Sequence, residues 1–205
     1  MKIWEKYSGY LLSGEWHIHT NYTDGKNSVS EICETAEKLK IPLIAFTEHV
    51  RKKLNYDFNQ FLEDIKKAKK EFPNIIMLSG CEAKVLPDGS LDVNKNIMEK
   101  VDYGIFAFHS FTENAELYKK SFKEVIKNEY VSAWAHPETF FNRVALTENE
   151  LIEIFNLLKK NNILFEINRK YKISENYLQY ARKFNVPVVK GNDIHSISDI
   201  INYGK

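Results

Sequence analysis

The chain has few cysteines, almost no net charge and no long apolar run. Its two cysteines, Cys33 and Cys81, are too few for a disulfide framework, and they fall in a predicted helix and a predicted strand, which indicates buried thiols and a reducing compartment. The formal net charge of the 205 residues is +1, with acidic and basic residues interspersed, so no surface for nucleic acid stands out. No apolar run in the first 13 residues is long enough for a membrane span or a signal peptide. We therefore expect no membrane segment and a cytoplasmic location.

The composition that is present indicates a folded protein with one core. Hydrophobic residues make up 43% of the chain and aromatic residues 13%, which excludes a disordered chain. A chain of this length can bury most of its apolar surface in a single core. We therefore expect one domain over residues 1–205.

Short apolar stretches alternate with segments of helical periodicity. Strands are predicted around His17 and at 43–46, 75–78, 103–108, 131–135, 163–167 and 186–189. Helical segments between most of them predict an α/β fold with parallel strands. The alternatives are an open doubly wound sheet and a barrel; we favour the barrel because polar residues follow every predicted strand. The aromatic N-terminal extension, residues 1–13, would then pack on the lower end of the barrel or on a partner subunit.

The segment from His17 to Gly25 contains the first candidate metal ligands. His17 and His19 flank a single residue on an extended segment, so both imidazoles point to the same side. Asp24 follows in a Thr-Asp-Gly turn that bends the chain back towards them. Taken alone, the pair could equally be two ordinary polar residues near a strand end.

The other histidines strengthen this hypothesis. The chain has six histidines, and each lies at or near the carboxyl end of a predicted strand: His17, His19, His49, His109, His136 and His195. Asp24, Glu82 and Asp193 occupy equivalent positions. Because the carboxyl ends of the strands of a parallel barrel meet on one face, these side chains are expected to converge there. Imidazole with carboxylate suits zinc, iron or manganese, and nine ligands are too many for one ion.

These residues resemble the ordered motifs of the PHP (polymerase and histidinol phosphatase) superfamily. The motifs are His17-x-His19, Asp24, Glu48-His49, Glu82, Phe108-His109-Ser110, His136-Pro137 and Asp193-x-His195. The resemblance implies a single PHP domain with a distorted (β/α)7 TIM-like barrel that holds three divalent metal ions at the C-terminal ends of its strands. One departure is Glu15, where the family usually has aspartate; this position is not normally a ligand.

The resemblance also implies how the ligands are shared among the ions. The first metal would take His17, His19, Glu82 and Asp193, and the second would share Glu82 and add His109 and His136. The third would be held by Asp24, His49 and His195.

Adjacent divalent ions generate a hydroxide nucleophile near neutral pH and clamp a phosphoryl group. We therefore expect hydrolysis of a small-molecule phosphate monoester by metal-activated hydroxide, with histidinol phosphate as one candidate and a small phosphorylated metabolite as the partner. Asp193 or His195 would relay the leaving-group proton. Arg169 and Arg143 are predicted to bind the phosphate, with Arg51 as a weaker candidate.

Three further polar residues, Glu48, Asn168 and Asn192, are candidates for orienting the ligands.

Two other functional classes remain open. A metal-dependent amidohydrolase also begins with His-x-His on a barrel strand, but Glu82 and the His136-Pro137 motif fit it poorly. A non-catalytic metal-binding interaction module would be expected to have lost ligands, and none is missing. The sequence does not indicate an oligomeric state.

Overall fold

The computed structural model describes residues 1–112, 114–171 and 174–203. Its seven parallel strands each pair with the next one along the chain. They are β1 Glu15–Ile18, β2 Leu43–Val50, β3 Ile76–Lys84, β4 Tyr103–Ala107, β5 Val131–Trp134, β6 Leu164–Ile167 and β7 Val188–Lys190. The sheet closes on itself because the amide of His19 donates to the oxygen of Ile194 at 2.8 Å and the amide of Ile194 donates to the oxygen of His17 at 3.0 Å. The predicted distorted (β/α)7 barrel is confirmed.

Helices lie before the first strand, between the strands and after the last one. They are α1 Ile3–Lys6, α2 Val29–Lys38, α3 Phe58–Glu71, α4 Lys95–Met98, α5 Ala115–Val125, α6 Glu138–Phe141, α7 Glu148–Lys160, α8 Glu175–Lys183 and α9 Ile197–Tyr203, with a 3-10 turn at Ser8–Tyr10. Helices α2 and α7 each begin with a capping box. Ser28 and Thr147 each accept a hydrogen bond from the amide three residues later, and Glu31 and Glu150 bond back to the capping residues.

Strands β2 and β3 are longer than the sequence predicts. The apolar runs suggested ends at Phe46 and Leu78, but the two strands stay paired in register over eight residue pairs. This continuous ladder satisfies the backbone groups of the polar residues that follow each run. As a result His49 and Glu82 lie inside strands, directly opposite each other in the register.

The core has an inner and an outer layer. Side chains inside the barrel include Trp16 and Tyr103, whose rings meet edge to face with centroids 5.2 Å apart. The outer layer lies between strands and helices and includes Phe61 and Phe155. Both layers are buried, so the strand ends are carried on a packed scaffold.

The N-terminal segment packs across one end of the barrel. Trp4 of α1 is buried in the inner cluster. The Nζ of Lys2 donates to the backbone oxygens of Val131 and Asn161 at 2.7 and 3.1 Å. Val131 opens β5, so this contact lies at the end of the barrel opposite the carboxyl ends of the strands.

Two other expectations concern the thiols and the membrane. Cys33 in α2 and Cys81 in β3 are free and buried, as predicted. Within the described ranges, no helix combines the length and apolar character that a bilayer crossing requires.

Candidate metal centre

The six imidazoles meet at the carboxyl ends of the strands. Successive rings lie with centroids 4.3 to 5.2 Å apart along a connected series formed by His17–His19, His19–His49, His19–His195, His49–His109 and His109–His136. The structure therefore brings together all six histidines, and the three predicted acidic ligands lie among them.

The first predicted ligand set is compact. The Nε2 atoms of His17 and His19 are 3.0 Å apart, and each lies 3.6 Å from a carboxylate oxygen of Glu82. Oδ1 of Asp193 lies 3.6 Å from His17 Nε2 and 3.3 Å from His19 Nε2. A tetrahedral ion with ligand bonds of ~2.0–2.1 Å separates its ligand atoms by roughly 3.3 Å, so these four side chains could hold such an ion.

The second set shares Glu82 with the first. Its Oε1 lies 2.9 Å from His136 Nε2 and 3.3 Å from His109 Nε2, and the two imidazole nitrogens are 3.2 Å apart. The same oxygen is 3.6 Å from His17 Nε2 in the first set. Glu82 thus lies between the two sets.

The third set gathers around Asp24 at the more open side of the site. Oδ2 of Asp24 is 3.3 Å from Nε2 of His49 and 3.3 Å from Nε2 of His195. Nδ1 of His49 lies 2.8 Å from Oε2 of Glu82, without the geometry of a hydrogen bond. His49 therefore connects this set to Glu82, as its register position opposite that residue requires.

The electrostatics of the site suit cations. Burial alone would raise the pKa of Glu82, but His17 and His109 outweigh it and hold the pKa well below its ordinary value. Hydrogen bonds from His195 and His49 lower the pKa of Asp24. Among the described residues, Oε2 of Glu82 is buried without a hydrogen-bond partner. Buried lone pairs of this kind are satisfied by a metal ion, so the residues fit the metals that the sequence motifs imply.

Glu166 was missed by the sequence analysis. It is buried on β6, where Oε2 lies 2.9 Å from Nδ1 of His17 and Oε1 accepts a hydrogen bond from the amide of His136 at 2.8 Å. A β-carbon on Gly191 would lie 2.3 Å from Oε2, so only glycine leaves room for this contact. The signal available in the sequence was an acidic residue inside an apolar strand, which is costly unless the acid is paired.

Glu48 orients the loop that carries Asp24. Its carboxylate accepts hydrogen bonds from the amide of Thr20 at 2.6 Å and from the hydroxyl of Thr23. Burial raises the pKa of Glu48 to about 6. These contacts fix both ends of the short segment before Asp24.

The two predicted asparagines shape the loops after β6 and β7. Oδ1 of Asn168 accepts from the amides of Lys170 and Tyr171 at 2.7 and 3.2 Å. Asn192 accepts from the amide of Arg169 at 2.9 Å and donates to Glu15, whose pKa burial raises to about 7. The glutamate that departs from the family pattern thus anchors the backbone next to Asp193.

The two predicted phosphate-binding arginines have different surroundings. Arg143 is exposed just after α6. Arg169 lines a separate cleft with Leu12 and Lys190. Lys170, which the sequence analysis did not select, places its Nζ 3.8 Å from Oδ2 of Asp193.

Comparison with known proteins shows which family combines this fold with these motifs. A model of the PHP domain matches residues 15–170. The chain belongs to the PHP domain family. The resemblance of the ordered motifs to the PHP superfamily is therefore confirmed.

Other PHP-related proteins vary in length and in described activity. A Bacillus subtilis (strain 168) protein named DNA polymerase/3'-5' exonuclease PolX is 27% identical over 197 residues, which are 91% of this chain and 35% of that protein. This PHP chain thus spans only about a third of that relative. An Aliivibrio fischeri (strain MJ11) protein named "probable phosphatase" is 26% identical over 203 residues, 92% of this chain and 80% of that one.

A solved structure shares the fold. Histidinol phosphate phosphatase from Lactococcus lactis, crystallised with zinc, L-histidinol and phosphate, superposes with a TM-score of 0.70 at 16% identity. The match covers 91% of this PHP chain and 88% of that protein.

Proposed function

We propose that the protein hydrolyses a small-molecule phosphate monoester with the help of three divalent metal ions. The observation that carries this proposal is the position of Glu82, whose carboxylate lies between two sets of imidazole nitrogens and beside a third. The ligands would be His17, His19, Glu82 and Asp193 for one ion, Glu82, His109 and His136 for another, and Asp24, His49 and His195 for the last. Nitrogen and oxygen donors without thiolate suit zinc, manganese or iron.

Such ions, when bound, neutralise the charge of a phosphoryl group and make water nucleophilic near neutral pH. The protein's own contribution is to fix the donors and control access. His17, His19 and Glu82 are fully buried, whereas the side chains of Asp193 and His195 are 11% and 24% exposed. These two side chains therefore lie next to the buried donors and are also open to a substrate entering from the mouth.

We assign proton transfer to Asp193 and His195. Oδ1 of Asp193 faces His17 and His19, whereas Oδ2 is turned towards Lys170. The pKa of Asp193 is lowered: burial raises it, but contact with His19 and the charge of His17 more than compensate. Asp193 therefore stays ionised, so it would pass the leaving-group proton on rather than hold it.

Several cations could bind the phosphoryl oxygens. Lys170 lies beside Asp193, and its ammonium is a compact charge that can approach an oxygen from solvent. Arg143 and Arg169 stay predictions for this role. Histidinol phosphate is the first substrate to test, because the Lactococcus neighbour was crystallised with L-histidinol and phosphate.

The test is phosphate release from a panel of substrates by protein loaded with zinc, manganese or iron, compared with protein treated with chelator. The panel contains histidinol phosphate, other phosphorylated metabolites, an aryl phosphate, an aryl ester and a short oligonucleotide. Metal-dependent release from monoesters supports the proposal. Turnover of the aryl ester alone would favour an amidohydrolase, and bound metal without turnover of any substrate would favour a binding module. Release only from the oligonucleotide would favour an exonuclease like the one named for the Bacillus relative.

A further inference from the structure

A cleft with basic side chains adjoins the third ligand set. It is lined by Asp24 and His49 together with Arg51, Lys53 and Asn55 of the segment after β2. Its volume is about 250 Å³, below the ~300–1,000 Å³ of sites that enclose a drug-sized ligand. The cleft therefore cannot enclose a whole drug-sized substrate. It can hold one small group of a substrate whose ester phosphate lies at the ligand sets.

Arg51 is held in position by contacts with the protein. One Nη donates to the backbone oxygen of Val50 at 2.7 Å, and Nε lies 3.8 Å from Oδ2 of Asp92. A guanidinium has five N–H donors, so these contacts leave donors free for an anion. The side chain is still 36% exposed, so a ligand in the cleft can reach it.

Lys53 supplies the second cation of the cleft, and the intervening Lys52 does not line it. Lys52 lies instead near Asp88, whose pKa its charge helps to lower after the contacts with Ser90. Lys52 and Lys53 therefore have different surroundings, so a substitution of Lys52 can serve as a control for one of Lys53.

The acidic groups of this region do not cancel both cations. Asp24 is engaged by His49 and His195 at 3.3 Å each. Oδ2 of Asp92 lies 3.8 Å from Nε of Arg51, which is too long for a hydrogen bond. Lys53 and the free donors of Arg51 therefore remain to attract an anion.

We propose, on the basis of the function proposed above, that the substrate is a phosphate ester carrying a second anionic group, phosphate or carboxylate, which Arg51 and Lys53 bind. The ester phosphate would lie at the ligand sets, and the second anion would enter the cleft beside Asp24 and His49. This separates the substrate class from esters whose remaining part is neutral or cationic, so histidinol phosphate, whose remaining part is cationic, would be the weaker substrate.

The first experiment measures binding, so that it does not depend on turnover. Metal-loaded protein, freed of excess metal, is titrated calorimetrically with propylphosphonate, 4-phosphonobutanoate and propane-1,3-bisphosphonate, and its metal content is measured before and after. One or both ligands with a second anion should bind about tenfold more tightly than propylphosphonate, since the second anion adds a charge-assisted contact with Arg51 or Lys53. The advantage should shrink at high ionic strength. Whether the carboxylate or the second phosphonate gains more identifies the anion. Equal affinities for all three ligands would overturn the proposal.

Single charge-removing variants then locate the site. R51Q and K53Q should each lose most of the advantage, whereas K52Q, which removes the same charge one position away, should keep it. Metal content should equal that of the wild type in all three variants. If R51Q and K53Q keep the advantage, or K52Q loses it equally, the cleft is not the binding site.

Turnover distinguishes this proposal from the function on which it rests. The substrates are propane-1,3-diol monophosphate and bisphosphate. Tighter, Arg51-dependent binding of a second anion without phosphate release from any ester would disprove hydrolysis and keep the anion site. Phosphate release with equal KM for both substrates, together with equal binding, would keep hydrolysis and disprove the anion site.

Discussion

The carboxylate of Glu166 connects two histidines from distant parts of the chain. It contacts the imidazole of His17 and the backbone amide of His136, so it orients one proposed ligand from each of two sets. E166Q keeps the size of the side chain but removes the charge opposite His17. Residues that hold metal ligands in place typically contribute 10–100-fold to metal affinity, so we expect affinity to fall by about that factor. Zinc titration against a competing chelator measures it.

A matched substitution tests whether the effect is local. E99Q removes one negative charge from a half-exposed residue after α4 and should leave zinc affinity unchanged. Thermal unfolding of both metal-free variants shows whether the fold is kept. Equal zinc affinities for E166Q and the wild type would show that Glu166 does not orient the ligands.

Metal binding should release protons. Burial lowers the pKa of His49, but Asp24 and Glu82 outweigh it and raise the pKa to about 9, so this imidazole is protonated at pH 7 when no metal is bound. Coordination requires neutral imidazole, so the proton must leave and metal affinity should rise as the pH increases towards about 9. Calorimetric titration in buffers of different ionisation enthalpy measures the number of protons released. Binding heats that do not depend on the buffer would contradict this expectation.

The site side chains that could be predicted from the sequence are those that directly follow a strand. His109, His136 and Asp193 come after apolar runs, so their convergence followed from the barrel alone. Glu166 lies inside such a run, and no periodicity shows which barrel residue it meets.

Strand β1, which carries His17, departs from regular geometry. The pairing of β1 with β2 shifts register between Glu15 and Ile18. Trp16 packs inside the barrel and Ile18 in the outer layer, although strict alternation would put both on one face. The shift lets the side chains of Trp16 and His17 both point inward. Sequence alternation correctly placed His17 with His19, but it does not predict this irregularity.

Three residues that follow strands at the site have a strained backbone conformation. Ser110, His136 and Asp193 all have positive φ, at 46°, 32° and 52°. Such conformations are uncommon for residues other than glycine and cluster at functional sites. They turn the chain sharply after β4, β5 and β7, and no sequence signal marked these turns.

Helix α2 offers a test of how local signals contribute to the fold. Ser28 caps it by accepting a hydrogen bond from the amide of Glu31. S28A removes this contact, and the free energy of unfolding should fall by about 1 kcal/mol. S30A, two positions later on the exposed surface, should have little effect. Urea denaturation of the metal-free protein measures both, and equal losses would show that the cap is not the cause.

The whole molecule is a barrel with its two ends specialised. One end carries the proposed ligands, and the N-terminal segment packs across the other. The buried Trp4 fills the inner cluster there. W4A should therefore lower the free energy of unfolding by ~3–5 kcal/mol, as other tryptophan truncations in cores do. Zinc affinity should stay the same, since the ligands lie at the opposite end.

L12A is the control for W4A, since Leu12 lies in the same segment but is 58% exposed. Chemical denaturation and zinc titration are carried out on both variants. If W4A were no less stable than L12A, the first residues would not pack on the barrel, and a contact with another subunit would become the better explanation for their aromatic character.

The barrel itself was predictable because seven apolar runs, each followed by polar residues, leave few other arrangements. What could not be predicted is where each strand stops. The register between β2 and β3 continues past the apolar residues, and only the paired structure shows that His49 lies opposite Glu82.

We propose that the nine predicted side chains jointly hold three ions around Glu82. Anomalous X-ray diffraction from crystals of the zinc-loaded protein locates such ions. We expect three peaks at the carboxyl ends of the strands, two of them on either side of the Glu82 carboxylate and one beside Asp24. Peaks confined to the protein surface, or no peak within coordination distance of Glu82, would contradict it.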